Sequence, residues 1–317
     1  MNTQIVLNLA ECVTILLLMM VPGFILKKSN LVSAAFGKDI SNLILYIAQP
    51  ILVLSAYICK YDIRVAKRAG VVFLLAILAH LVFFAIAFLF FKHSEGSQKT
   101  VLRFAVIFSN AGYMGIPLIR FTLGEKAVIY ASVYLVVFNV FLWTLGYFMY
   151  SGDRRYMSLR NALLNPTSIA TYIGLIIFFF NLQAYLPADG IVIKSLTMLK
   201  DLVAPLSMFI IGFRLVDAFK SKHIIDKNMC LCIFLRLIAA PSAVFALLLI
   251  LYKTGICTDY TAICVTFFSA ATPAAAVTSM LAEKFAGNAV YASMVVSVST
   301  ILSLLTMPLL SLLLYLL

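Results

Sequence analysis

Runs of about 20 apolar residues follow one another along almost the whole chain, at 5–26, 40–58, 71–91, 104–122, 128–150, 167–186, 196–216, 229–251, 260–283 and 288–316. A helix needs about 20 such residues to cross the roughly 30 Å hydrocarbon layer of a bilayer. Runs such as 71–91 are apolar on every face, whereas the strands of a membrane barrel alternate over about 10 residues. The sequence therefore predicts ten transmembrane helices in an all-α polytopic membrane protein. A soluble core has no use for this much apolar side chain: the chain is 64% hydrophobic and 11% charged, against roughly half and a quarter in an average globular domain. The first run starts within a few residues of Met1, without a basic n-region or a small-residue cleavage pattern, so it is expected to remain as a helix rather than to act as a signal peptide.

The formal charge of +12 fits basic loops that set orientation and meet anionic lipid, not a nucleic-acid partner. Loops entered after odd-numbered spans carry Lys27, Lys28, Lys38, Lys92, Lys99, Arg103, Arg154, Arg155, Arg160, Arg214, Lys220, Lys222, Lys227 and Lys284. These loops are expected to be cytoplasmic, with both termini on the outer side of the cell (plasma) membrane. One opposite segment, with Lys60, Arg64, Lys67 and Arg68, dissents from the rule and reads as an interfacial amphipathic turn. The six cysteines Cys12, Cys59, Cys230, Cys232, Cys257 and Cys264 lie in or beside apolar spans without the spacing of a zinc site or disulfide framework, and read as packing residues. No cofactor and no metal is implied.

Internal repetition is visible in the intramembrane landmarks. Pro50 and Pro205 stand 155 positions apart, Pro117 and Pro273 156, and His80 and Arg236 156. Five spans is an odd number, so a second set of five enters the membrane with opposite polarity and the repeat is inverted. The expected organisation is a first five-helix repeat at 1–150, a cytoplasmic connecting loop at 151–166 and a second, inverted repeat at 167–317.

The fourth and ninth spans carry the chemistry. FSNAGYMGIPLI places Ser109, Asn110, Gly112, Gly115 and Pro117 inside a span, and FFSAATPAAAVTSML does the same with Ala271, Thr272 and Pro273. Proline removes a backbone donor and glycine permits unusual dihedrals, so both helices are expected to break near the midplane. The second half-helices are expected to restart near Gly115 and Thr272, with Thr272 as N-cap and Pro273 at the first helical position. Their amino ends would then converge on the membrane centre, each with roughly half a unit of positive charge, and hold a small organic anion, with the Asn110 amide adding a directed hydrogen bond. The plainer alternative is two kinked packing helices.

Ionisable residues inside spans are functional candidates because each costs about 2.5–3.5 kcal/mol on insertion scales. His80 is a candidate for proton exchange and Arg236 for a fixed counter-charge, with Glu11 a third candidate; hydrogen-bonded packing, a carbonyl or salt-bridge partner, and snorkelling are their respective structural alternatives. Nothing resembles a Walker loop, a Gly-x-Ser-x-Gly elbow or a His-Glu-x-x-His helix, so the chain is not expected to be an enzyme.

The segments FSNAGYMGIPL, ATPAAAVTSMLAEKF, LVAPLSMFIIGFRL and YLVVFNVFLWTLGYF, in this order and spacing, resemble the auxin efflux carrier family over essentially the whole chain. The resemblance implies a ten-helix fold shared with bile-acid sodium symporters, with helices 1, 2, 6 and 7 as scaffold and 3–5 and 8–10 as the moving unit. It also implies a homodimer and an organic-anion substrate at the crossover of helices 4 and 9. The chain lacks the long hydrophilic loop of plant carriers, and Ala270 and Ala271 stand where a second crossover asparagine would be. This favours a compact carrier of mono- or dicarboxylates such as malonate or malate over an auxin carrier. A sodium- or proton-coupled symporter and a non-transporting ligand sensor remain as alternatives.

Overall fold

A computed structural model describes residues 2–33, 35–92, 96–187, 190–220, 226–285 and 287–317, with side chains described for all of these except 2–10 and 217–220. Lys222 and the side chain of Lys220 therefore lie outside the described residues.

In chain order the helices are α1 (Asn2–Lys28), α2 (Phe36–Leu43), α3 (Gln49–Ala56), α4 (Ile63–Phe90), α5 (Gly96–Ile107) and α6 (Ile116–Leu123). Then come α7 (Ala127–Phe141), α8 (Tyr147–Ser151), α9 (Leu159–Leu163), α10 (Pro166–Phe179), α11 (Ile191–Asp201) and α12 (Val203–Lys220). The last are α13 (Lys227–Phe234), α14 (Ala240–Lys253), α15 (Tyr260–Ala271), α16 (Val277–Lys284) and α17 (Ala289–Ser311). Wider π-type turns at Ile44–Ala48, Leu142–Gly146 and Leu235–Ala239 join consecutive helices into longer rods, and a fourth, Ala111–Gly115, opens the rod that continues as α6. Three of these turns are followed by a proline in the first turn of the next helix: Pro50, Pro117 and Pro241. Proline offers no N–H and crowds the carbonyl four residues back. A turn with one extra residue re-registers the ladder around that gap, so the rod continues where an ideal α-helix would break.

Among the described residues seven helical segments are long and apolar enough to cross a membrane: Phe36–Ala56, Ile63–Phe90, Ala127–Ser151, Arg154–Phe179, Ile191–Val216, Lys227–Lys253 and Ala289–Leu316. The chain is thus an all-helical polytopic membrane protein, without a named strand among the described residues. The expected first span corresponds to α1, and the expected fourth and ninth are split into halves too short to qualify singly. The third starts at Ile63 instead of 71, because Asp62 caps α4 by accepting the Arg64 amide at 2.8 Å. The basic Lys60–Arg68 segment therefore runs into the first turns of α4. The connector at 151–166 is also helical over Arg154–Tyr156 and Leu159–Leu163 and leads directly into α10.

Two tight helix pairs frame the molecule. α1 lies along α12, and α10 lies along α3. A Cβ on Gly23 would overlap the Phe209 carbonyl, and one on Gly212 would overlap the Met20 carbonyl, so α1 and α12 touch backbone to backbone. In membranes, where water does not drive helices together, such small-residue contacts gain stability through close van der Waals packing. α4, α7 and α15 form a second group, with α5, α14 and α17 packed around it.

Candidate functional site

α5 ends at Ile107 and α15 at Ala271, and the two extended gaps that follow meet. Ser109 and Ala274 form an isolated antiparallel bridge. The Asn110 amide donates to the Pro273 carbonyl at 2.8 Å, and the Ala275 amide donates to the Phe108 carbonyl at 2.9 Å. The Ser299 hydroxyl accepts from the Ala274 amide at 3.3 Å. Backbone groups freed by two broken helices in a low-dielectric interior must find partners, and here each break supplies them to the other.

The restart points differ from the expected ones. The first rod resumes at Ala111, through the π-type turn, with the Asn110 carbonyl accepting from Met114 and Gly115 at 3.1 and 3.0 Å. Gly115 and Pro117 are therefore helical, and Pro117 follows the break instead of making it. The second rod resumes at Val277, so Thr272 is the C-cap of α15, not an N-cap, and its hydroxyl donates back to the Ser269 carbonyl at 2.9 Å. Pro273 likewise lies in the extended gap, not at a first helical position. Ala274 and Ala275 stay out of the helix because they are bridged to the other break, a long-range pairing that local propensity cannot anticipate, and Ala276 already has helical dihedrals as the cap of α16.

The four half-helix ends segregate by polarity. The carboxyl ends of α5 and α15 converge on Arg236, whose guanidinium donates to the Val106 carbonyl at 2.8 Å and to the Ala270 carbonyl. It also lies over the Phe83 ring, 4.6 Å from its centroid, and is 0% exposed. A cation there complements the negative ends of both helices. His80 sits in the same packing region, against the Phe83 ring at 6.0 Å, stacked on Phe141 at 5.1 Å and 5.3 Å from Tyr134. Its Nδ1 donates to the Ala76 carbonyl at 2.7 Å, while Nε2 has no protein partner.

The amino ends, at Ala111 and Val277, face a cavity of about 530 Å³. Of the residues singled out in the sequence, Ser109, Asn110 and Gly112 line it. Gly115, Pro117, Ala271, Thr272 and Pro273 build the crossover without lining the cavity, and His80 and Arg236 lie behind it. Glu11 is exposed on α1, away from the cavity. Asn110 is 4% exposed and its Nδ2 has no hydrogen-bond partner. An unmet buried donor of this kind forfeits about 1–3 kcal/mol unless a ligand or water answers it.

The rest of the wall comes from residues that the sequence did not mark as part of the site: Gln49, Asn139, Trp143, Asn165, Ala276 and Lys284, the last expected only as a loop cation, among them. Gln49 lies so close to Gly112 that a Cβ there would stand 3.0 Å from its Nε2. A glutamine inside an apolar run, next to Pro50, was the available signal. Among the described residues Lys284 is the one charged residue lining the cavity, and no described Asp or Glu lines it. Arg214, expected in a loop, instead lies on α12 and reaches the Ala276 carbonyl and Ser279 hydroxyl at 3.4 Å and the Ser41 hydroxyl at 3.3 Å.

The cavity extends from the crossover toward Asn161, Asn165 and Lys284. α5 and α16 lie on that side, packed with α8, whereas α6 and α15 lie together on the other. At the far end of α6, Arg120 pairs with Glu125 at 2.6 Å and with Asp201 at 2.7 Å, and Lys200 reaches Glu125 at 3.3 Å.

A family model described as membrane transport protein matches the chain twice, over residues 9–159 and 155–311. No curated protein matches it.

Proposed function

The chain belongs to the auxin efflux carrier family of membrane transport proteins, and from that premise we propose that it is a secondary active transporter of a small organic anion working by alternating access. The observation that carries the reading is the cavity, which joins two helix amino ends and an unpartnered buried amide on Asn110 to a wall with a lysine and, among the described residues, no carboxylate. A carboxylate placed there would accept from the Asn110 amide and from the first-turn amides at Ala111 and Val277, each helix end contributing about 0.3–1 kcal/mol, and up to about 2 where water is excluded. Arg236 stabilises the crossover from behind, leaving the substrate charge to the amino ends.

The reading takes the chain to cross the membrane ten times as two inverted five-helix repeats. The double family match and the paired packing of α1 on α12 and α10 on α3 support it. In this arrangement the α1–α12 and α3–α10 pairs are the scaffold, and the broken rods with α4, α7, α14 and α17 move against it. The present state is open toward the connector and closed by the Arg120 network on the other side. Compact mono- or dicarboxylates are the substrate class that the amide and lysine lining suits.

The test is uptake of labelled carboxylates into sealed vesicles containing the purified protein, paired with thermal stabilisation by the same compounds. Concentrative uptake that Asn110→Ala removes without loss of folded protein supports the reading. Binding without uptake would make the chain a sensor, and a response confined to neutral or cationic solutes would overturn the anion assignment.

A further inference from the structure

A second cavity, of about 260 Å³, lies away from the crossover and is almost wholly apolar. Its walls are Val65, Gly70 and Phe73 of α4, Ile129 of α7, and Leu175 and Phe179 of α10. The floor is Tyr57, fixed by a 2.8 Å hydrogen bond between its hydroxyl and that of Ser132, and by Gly174, on which a Cβ would press the ring. Gly70 is the telling residue. A glycine inside a helix gives up about 1 kcal/mol relative to alanine, and elsewhere in this chain glycines at helix contacts permit close packing. At Gly70 no heavy atom lies within 4 Å of where a Cβ would stand. The missing side chain opens a slot.

The slot lies on the membrane-spanning surface, since Gly70, Phe73 and Phe179 are all exposed. α4 has 28 residues, about 42 Å at roughly 1.5 Å per residue, and so extends beyond the roughly 30 Å hydrocarbon layer into the headgroup region. Its amino end is where the basic residues gather. Lys60 precedes Tyr61, whose ring packs on Phe178 and Phe179 at 5.2 and 5.9 Å; Lys67 follows Ala66, which lines the slot. Lys126 stands one turn before Ile129 and acts electrostatically on Asp62. Asp62 is itself paired with Arg64 at 2.9 Å, so the three lysines leave the rim net positive. An apolar slot open to the bilayer, below a cationic rim at headgroup depth, matches a lipid with an anionic head.

We propose that this slot is a binding site for one anionic phospholipid, an acyl chain lying along Gly70 between α4 and α10 and its phosphate meeting Lys60, Lys67 and Lys126. α4 and α10 form opposite walls, so the bound chain lies between two helices. The site is independent of the crossover and of the transport reading.

The experiment uses the full chain purified in detergent and titrated with phosphatidylglycerol or phosphatidylcholine, with bound lipid counted by native mass spectrometry and stability followed by thermal unfolding. Phosphatidylglycerol is expected to bind more tightly and to raise the unfolding temperature more. Each lysine changed to glutamine should weaken it about fivefold. Gly70→Phe, whose Cβ has open space and whose ring fills the slot, should remove the bound lipid, while Gly70→Ala keeps it; Val133→Phe blocks the same slot from α7 if Gly70→Phe misfolds. Equal binding of the two lipids would overturn the headgroup assignment. Undiminished phosphatidylglycerol binding with the slot filled would overturn the site.

Discussion

Replacing Arg236 by methionine tests whether the crossover is held by a buried cation or merely surrounds one. The guanidinium donates to the carbonyl ends of two half-helices and covers the Phe83 ring. Two hydrogen bonds from a charged donor contribute about 1.5–3 kcal/mol each, and a desolvated cation–π contact about 2. Against this gross 5–8 kcal/mol stands the several kcal/mol needed to keep a guanidinium out of water, which methionine does not require. The net loss is about 3 kcal/mol, or a fall of about 6 °C in unfolding temperature at roughly 2 °C per kcal/mol for a chain of this size. Arg236→Lys keeps the charge without the fork that spans both carbonyls, and should lose about half as much. Thermal unfolding of ligand-free protein in detergent measures both. An Arg236→Met protein that unfolds at the wild-type temperature would refute the clamp. If it also lost stabilisation by carboxylates, the arginine would be a counter-charge for substrate and the division of polarity across the crossover would be wrong.

Asn110→Ala should weaken carboxylate binding about 10- to 100-fold, the equivalent of one hydrogen bond to a charged acceptor, without lowering the ligand-free unfolding temperature; unchanged titration midpoints would remove Asn110 from the site. Gly212→Ala forces a methyl onto the Met20 carbonyl and should destabilise by about 1–3 kcal/mol or more, whereas Gly70→Ala, with open space around it, should be neutral or stabilising by up to about 1 kcal/mol; equal effects would show that the contrast in packing is false. Arg120→Gln removes a partly exposed network worth on the order of 1 kcal/mol per pair, and should raise amide hydrogen exchange at 120–125 and 198–201 severalfold; no change there would mean that the network does not close that face.

The all-helical polytopic membrane class was legible because bilayer thickness turns apolar runs of about 20 residues into spanning helices. The two breaks were also legible in kind, though not in place. Proline pointed to Pro117 and Pro273, yet only Pro273 lies in a gap. In the first rod the π-type turn absorbs Pro117, and the chain breaks earlier, at 108–110, where its amides and carbonyls can pair with 273–275. That pairing joins positions more than a hundred residues apart and leaves no local signature. The cavity wall was hidden for the same reason: Gln49 of α3, Asn165 at the cap of α10 and Lys284 of α16 come from separate parts of the chain that only packing brings together. Arg214 was misplaced because charge alone suggested a loop, while its hydrogen bonds to Ala276, Ser279 and Ser41 let it stay within α12.

The crossover also explains why a protein would retain two broken helices at all. A continuous helix hides its dipole ends at the membrane surfaces, where water screens them. Breaking two rods at one level brings four ends into the low-dielectric interior, and unless they are sorted the like ends repel. Here the negative ends share Arg236 and the positive ends share the cavity. On the proposed reading the arginine does more than stabilise: by complementing the carboxyl ends it would leave the amino ends as the uncompensated charge, which an anion in the cavity would balance. That reading makes the Asn110 and Arg236 substitutions separable, one acting on the ligand and the other on the frame.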